Sequence, residues 1–222
     1  MTPQVIIGYT TEGSTDVLFL KSVVQRTFEH IAFECHGQIE ILPVQNIDRL
    51  SGDFIEAIIK CSVDADNRGV TVLCVHVDAD SENDANALAN KINPAFDAIC
   101  KLDDENVCKN LVAIVPVHMT EAWMLSDIEL LKREIGTNEN CRALGLDRPP
   151  ETIRNPKQAI EDAIRIARQG LPKRRRSKLS ISDLYSPLGQ KMPIDALDRL
   201  SSYQKFCEAV RIAFDKLGHR MN

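Results

Sequence analysis

A chain of 222 residues with 44% hydrophobic side chains is long enough to bury one ordinary core, with an appendage rather than a second full domain. It has no apolar run of membrane-spanning length, it begins without the basic start and apolar stretch of an export signal, and its seven cysteines form no Cys-x-x-Cys pair; no membrane span, disulfide framework or structural zinc site is expected, and a cytoplasmic protein with mostly buried thiols is. The formal charge of −5 conceals a division: residues 1–130 hold 21 acidic and 8 basic side chains and residues 131–222 hold 11 and 19, which suits a cation site beside a polyanion-binding surface and equally two lobes that attract each other.

In chain order, Val5 to Tyr9 is a short β-branched and aromatic run, ended by Thr10 to Ser14; Val17, Leu18, Leu20, Val23, Val24 and Phe28 then recur at helical spacing. Ile39 to Val44 predicts a second strand, and Phe54, Ile55, Ile58 and Ile59 a helix that stops near Gly69. Val70 to Val77 predicts the third strand, followed by a helix from about Ser81 to Cys100 with Ser81 and Asp84 in capping-box positions. Leu111 to Val117 predicts the fourth strand, and Glu121 to Ile135 the fourth helix. Four strand–helix alternations, the last two strands almost wholly apolar, call for a mostly parallel four-stranded α/β sheet covered on both faces, over residues 1–135. Residues 136–222 hold no strand pattern, prolines at 149, 150, 156, 172, 187 and 193, and helical runs near 156–169 and 194–217: a helical C-terminal lobe.

The most informative stretch is Val72 to Glu82, where an apolar strand runs into Asp78, Asp80 and Glu82 at every second position. Residues two apart on a strand share a side, so Asp78 and Asp80 are expected to stand together. Two carboxylates about 6 Å apart repel by roughly 3 kcal/mol at an effective dielectric near 20. A raised pKa, a basic neighbour or a hard divalent ion must relieve that repulsion. No Lys or Arg lies between Arg68 and Lys91, so a metal leads. In parallel sheets ligands gather beyond the carboxyl ends of the strands, where Glu12 and Glu121 also fall. Acids in a first helical turn have a plainer explanation in the helix dipole, which covers Asp16, Glu82 and Glu121 singly but not Asp78.

A strand followed by Glu12, Gly13 and a helix carrying Asp16, then a later strand ending in Asp78-x-Asp80, resembles the Toprim domain of topoisomerases, bacterial primases and OLD-type nucleases, over roughly residues 3–130. The opening from Glu12 to Asp16 with Phe19 and Leu20, the segment Glu121 to Asp127 and the helical tail further resemble small stand-alone Toprim-like proteins of bacterial defence loci, often found beside an ATPase partner. The resemblance implies a Toprim-like Rossmannoid fold and Mg2+ or Mn2+ as cofactor. It implies catalytic roles for Glu12, Asp78 and Asp80, metal ligation by the same three acids with Glu82 and Glu121 completing a second ion's shell, and hydrolysis of a phosphodiester by metal-activated water. No tyrosine-nucleophile domain or primase zinc module accompanies it.

The basic run of Lys173, Arg174, Arg175, Arg176 and Lys178 offers backbone contacts to DNA or RNA, against the plainer reading of a solvated loop. Lys191 is the resemblance's counterpart to a lysine at the scissile phosphate. Trp123 reads as packing, His76 as a buried hydrogen-bonded histidine or an outer partner of the acids, and His118 as structural or a ligand. Two other classes compete with the nuclease: a non-catalytic subunit that binds an ATPase or a phage protein, and a metal-nucleotide-sugar transferase using Asp-x-Asp, for which Glu12 and Gly13 have no task. A homo-oligomer is compatible with all three.

Overall fold

The computed structural model describes residues 2–176 and 178–219, the side chains of Lys173 and Arg176 excepted. Strands β1 (Gln4–Val5) and β2 (Ile7–Thr10) form one path interrupted at Ile6, and β3 (Glu40–Ile41) and β4 (Gln45–Asn46) a second path interrupted around Pro43, which has no N–H for a ladder. β1 pairs with β3, and β4, β2, β5 (Val72–His76) and β6 (Leu111–Ile114) follow in that spatial order as a four-stranded sheet, all parallel. The expected α/β architecture is therefore the observed one.

The faces of the sheet are assigned by alternation. Val72, Cys74, Val112 and Ile114 enter one core with α1 (Asp16–Ala32), whereas Leu73, Val75, Leu111 and Val115 enter another with α2 (Phe54–Asn67). This second face also carries α3 (Ala85–Ala87), one π-helical turn over Leu88–Ile92 and α4 (Asn93–Lys101). The expected helix from Ser81 thus starts at Ala85, because Ser81 Oγ donates to the Asn83 carbonyl instead of capping it.

The helix expected over Glu121 to Ile135 is two: α5 (Glu121–Met124) and α6 (Ile128–Ile135). Asp127 divides them, its carboxylate accepting from the Leu130 amide as an N-cap. Gly136, at φ 73°, ends α6 in the left-handed conformation that glycine adopts without a Cβ clash.

Of the C-terminal helices α7 (Pro156–Ala167), α8 (Lys173–Arg176), α9 (Tyr185–Lys191), α10 (Ile194–Leu197) and α11 (Ser201–Lys216), α8 and α9 fall outside the two expected helical runs, α8 as a single turn in the basic segment and α9 because Pro187 and Gly189 interrupt its pattern. Pro187 sits in the first turn, where no intrahelical donor is lost. A Cβ at Gly189 would lie 2.5 Å from the Phe19 carbonyl oxygen, so glycine is what lets α9 lie directly on α1. The segments 1–135 and 136–222 share the α1-side core: Trp123 is fully buried there, edge-on to Tyr203, and donates its indole N–H to Ser202. Among the described residues no helix is long and apolar enough to cross a membrane. Five of the seven cysteines are buried thiols, as expected.

Candidate functional site

The strand order reverses between β2, whose neighbour β4 follows it in sequence, and β5, whose neighbour β6 lies on the other side. In such sheets the loops leaving two adjacent strands in opposite directions open a crevice at their carboxyl ends. Here one loop carries Glu12 and the other Asp78.

The β2–α1 loop folds on itself: Thr11 Oγ1 donates to the Gly13 carbonyl and the Gly13 amide donates to Asp16 Oδ2 at 3.0 Å, which buries Asp16 at the start of α1. Glu12 is left exposed at the tip. The Asp78 amide donates to Glu12 Oε2 at 3.4 Å, so the two acids meet across the crevice.

His76, the last residue of β5 and wholly buried, ties these loops together. The Glu12 amide donates to its Nδ1 at 3.4 Å. An amide can only donate, so in this contact Nδ1 is the accepting nitrogen and the ring hydrogen is assigned to Nε2. Nε2 lies 3.0 Å from Thr120 Oγ1 and 3.3 Å from Asp78 Oδ1. The Thr120 amide also donates to Asp78 Oδ1, at 3.0 Å. One oxygen of Asp78 is thereby fixed by the β6 loop. Both sequence-based readings of His76 meet here, because its partners are the acids' own loops.

Behind this front lie Asp16 and Glu121, both buried. Burial raises both carboxyl pKa values above the ordinary range, and the neighbouring Asp78 charge pushes the same way; for Glu121 the hydroxyl of Tyr185, which donates to it, acts in the opposite sense. Glu121 is thus a buried, hydrogen-bonded acid beneath the crevice. Two cations complete the surroundings. Lys91 Nζ, delivered by the π-helical turn, is 3.7 Å from Glu12 Oε1. Arg49, from the loop after β4, donates to the His76 carbonyl at 3.3 Å and lies over the Phe54 ring. The fold thus brings two basic side chains from distant segments to the Glu12 and His76 side of the crevice, where the local sequence offers none.

Asp78 and Asp80 do not continue the alternation of a strand, which ends at His76. Asp80 is in the left-handed region at φ 53° and exposed, its amide donating to the His118 carbonyl. Together with Glu82 and His118 it lines a neighbouring cleft of about 490 Å3. Among the described residues no group of three His, Cys, Asp or Glu side chains is gathered closely enough to hold a metal ion. The donor chemistry still fits Mg2+, which binds through one or two carboxylates and keeps water and substrate phosphate for the remaining positions. Glu12 and Asp78 supply that number.

Lys191 lies elsewhere, paired with Glu134 at 2.8 Å. Arg174, Arg175 and Lys178 are exposed, and the Arg175 carbonyl accepts from Arg168; the side chains of Lys173 and Arg176 lie outside the described residues. The cleft of about 480 Å3 lined by Phe33, Ile39 and Ile41 borders β3, at the amino ends of the strands and away from the acids. Arg49, Lys91, Thr120 and Tyr185 were not legible as site residues, because each is joined to the acids only by the tertiary fold.

Compared with known proteins, residues 11–208 match a family model described as Domain of unknown function (DUF4276). No curated protein and no solved structure matches.

Proposed function

The chain belongs to the DUF4276 family, and from the geometry of its crevice we propose that it is a Toprim-like, Mg2+- or Mn2+-dependent nuclease that hydrolyses phosphodiesters of DNA or RNA. The observation that carries this reading is the meeting of Glu12 and Asp78 across the reversal point of the sheet, with the Asp78 amide on Glu12 Oε2 at 3.4 Å.

Glu12 and Asp78 would hold the cation. The chemistry such a cation supplies when bound is a water nucleophile near neutral pH and neutralisation of charge on the phosphoryl oxygens. The protein's own residues do the positioning. His76 and Thr120 fix Asp78 Oδ1, so its other oxygen would be the one to meet the cation. Asp16 and Glu121 lie behind, their carboxyl pKa values raised chiefly by burial. Lys91, partly exposed beside Glu12, offers an ammonium to a phosphate oxygen. Asp80 and Glu82 line the adjoining cleft and would offer carboxylates to a second cation.

The test is direct. Purified protein in Mn2+ cleaves a nucleic acid, and Asp78→Asn, which keeps the side chain's shape, removes cleavage without lowering the unfolding midpoint. Undiminished cleavage by that variant, or cleavage insensitive to chelation, contradicts the reading.

A second reading, a non-catalytic subunit that binds an ATPase or a phage protein, draws on the Lys91–Glu12 pair, which gives Glu12 a built-in cationic partner. Titration calorimetry separates the two: absence of divalent-ion binding together with tight binding of a partner favours the subunit.

A further inference from the structure

The loops after β5 and β6 are clasped just beyond the sheet. The Asp80 amide donates to the His118 carbonyl at 2.9 Å, and the His118 amide donates to the Ser81 carbonyl at 3.0 Å. Both Asp80 and His118 are held at positive φ, 53° and 60°, and they are the described non-glycine residues with that conformation. Left-handed backbone at two residues with side chains costs free energy that neighbouring contacts must offset, and such strain gathers at binding sites.

The clasp forms the floor of the cleft of about 490 Å3, whose remaining lining comes from Glu82, Met119 and, from the C-terminal segment, Arg154. His118 is 96% buried, its relative exposure being 4%, and its ring makes no hydrogen bond among the described residues. The one buried side-chain polar atom sealed off without a partner, among the described residues, is Asn110 Oδ1. The His118 nitrogens are therefore not sealed off, and the ring lines the cleft. Arg154 is exposed and has neither an ion-pair nor a hydrogen-bond partner among the described residues, although Asp80 and Glu82 line the same cleft.

An unpartnered buried imidazole and a free guanidinium on one cleft are donors without an acceptor. Phosphate supplies acceptors in the fork geometry that arginine matches. The cleft adjoins the crevice: His118 is two residues from Thr120 and Asp80 two residues from Asp78. We propose that Arg154 and His118 form a subsite for a backbone phosphate next to the one at Glu12 and Asp78, on a polynucleotide. Asp80 and Glu82 repel a bare phosphate, so the subsite admits one that arrives with a divalent counter-ion. This inference rests on the nuclease reading and adds Arg154 and His118 as positioning residues for its substrate.

The experiment is equilibrium binding, read by fluorescence anisotropy with 5′-labelled 12-nucleotide DNA and RNA strands in Ca2+, using the full chain carrying Asp78→Asn so that binding is measured without cleavage. Arg154→Ala removes a side chain with no partner in the fold and is expected to weaken binding about tenfold, as the loss of one charge-assisted contact does, and to lower the salt slope by about 0.7. His118→Asn, chosen because asparagine tolerates positive φ, is expected to weaken binding with the same sign. Binding unchanged by Arg154→Ala and by His118→Asn overturns the subsite and leaves the nuclease reading standing. Absence of any binding by both the Asp78→Asn chain and the unsubstituted chain in Ca2+ overturns both.

Discussion

The amide of Asp78 lies 3.4 Å from the carboxylate of Glu12, across a sequence separation of 66 residues. Their meeting is produced by two neighbouring parallel strands that end together, and by His76, which accepts from the backbone of the β2 loop and reaches the side chains of Asp78 and of Thr120 in the β6 loop.

His76 is therefore expected to matter for stability and for the site together. His76→Ala leaves the Glu12 amide and Thr120 hydroxyl short of a partner and opens a cavity at a wholly buried position, at a cost of about 2 kcal/mol or more. Urea denaturation measures the first effect, and a weaker Mn2+ affinity in calorimetry the second. A wild-type midpoint in this variant would contradict the account of how the loops are tied.

Gly189→Ala tests the seating of α9 on α1. The new methyl would be 2.5 Å from the Phe19 carbonyl, so α9 must shift, at a cost of about 1–3 kcal/mol. Because Tyr185 on the same helix reaches Glu121, cleavage is expected to fall as well. A stabilised variant with full activity would contradict the close packing.

Glu121→Gln is expected to stabilise the fold at pH 7–8 while reducing activity. Burial is the main cause of its raised pKa, so the folded protein binds this proton more tightly than the unfolded chain, and the group's contribution to stability declines as pH rises above the unfolded value of about 4.3. Glutamine removes that cost and keeps an acceptor for Tyr185. Thermal unfolding at pH 5 and pH 8 reads the difference, which should be larger at pH 8.

Glu151 carries the opposite sign. Burial works to raise its pKa, but hydrogen bonds from the Ser202 and Ser201 hydroxyls and amides at the start of α11 outweigh that and hold it below the ordinary range. Its stabilising contribution is complete above the unfolded pKa and is lost as pH falls through the lower folded value. Glu34, lowered chiefly by hydrogen bonding from Arg211, acts in the same direction. Glu151→Gln should thus cost about 1 kcal/mol at pH 7 and flatten the acid limb of a stability–pH curve. An unchanged acid limb would contradict the capping role.

The alternation of apolar runs with helical spacing made the parallel sheet legible, and the acids at the ends of β2 and β5 made Glu12 and Asp78 legible, because both signals are local. What escaped depends on tertiary contact. Asp127 divides α5 from α6 through one capping bond, Pro187 and Gly189 hide α9, and Asp80 leaves the strand alternation because the clasp with His118 holds its backbone left-handed. Lys91 looks like an exposed helix residue until a π-helical turn presents it to Glu12. Lys191 carries a similar basic side chain and pairs with Glu134 instead.

The most direct measurement of the central claim is anomalous diffraction from crystals grown in Mn2+. The account predicts a peak bonded to carboxylate oxygens of both Glu12 and Asp78, lost in Asp78→Asn crystals. Crystals in which Mn2+ binds elsewhere and these two carboxylates touch only Lys91, Thr120 and His76 would contradict it.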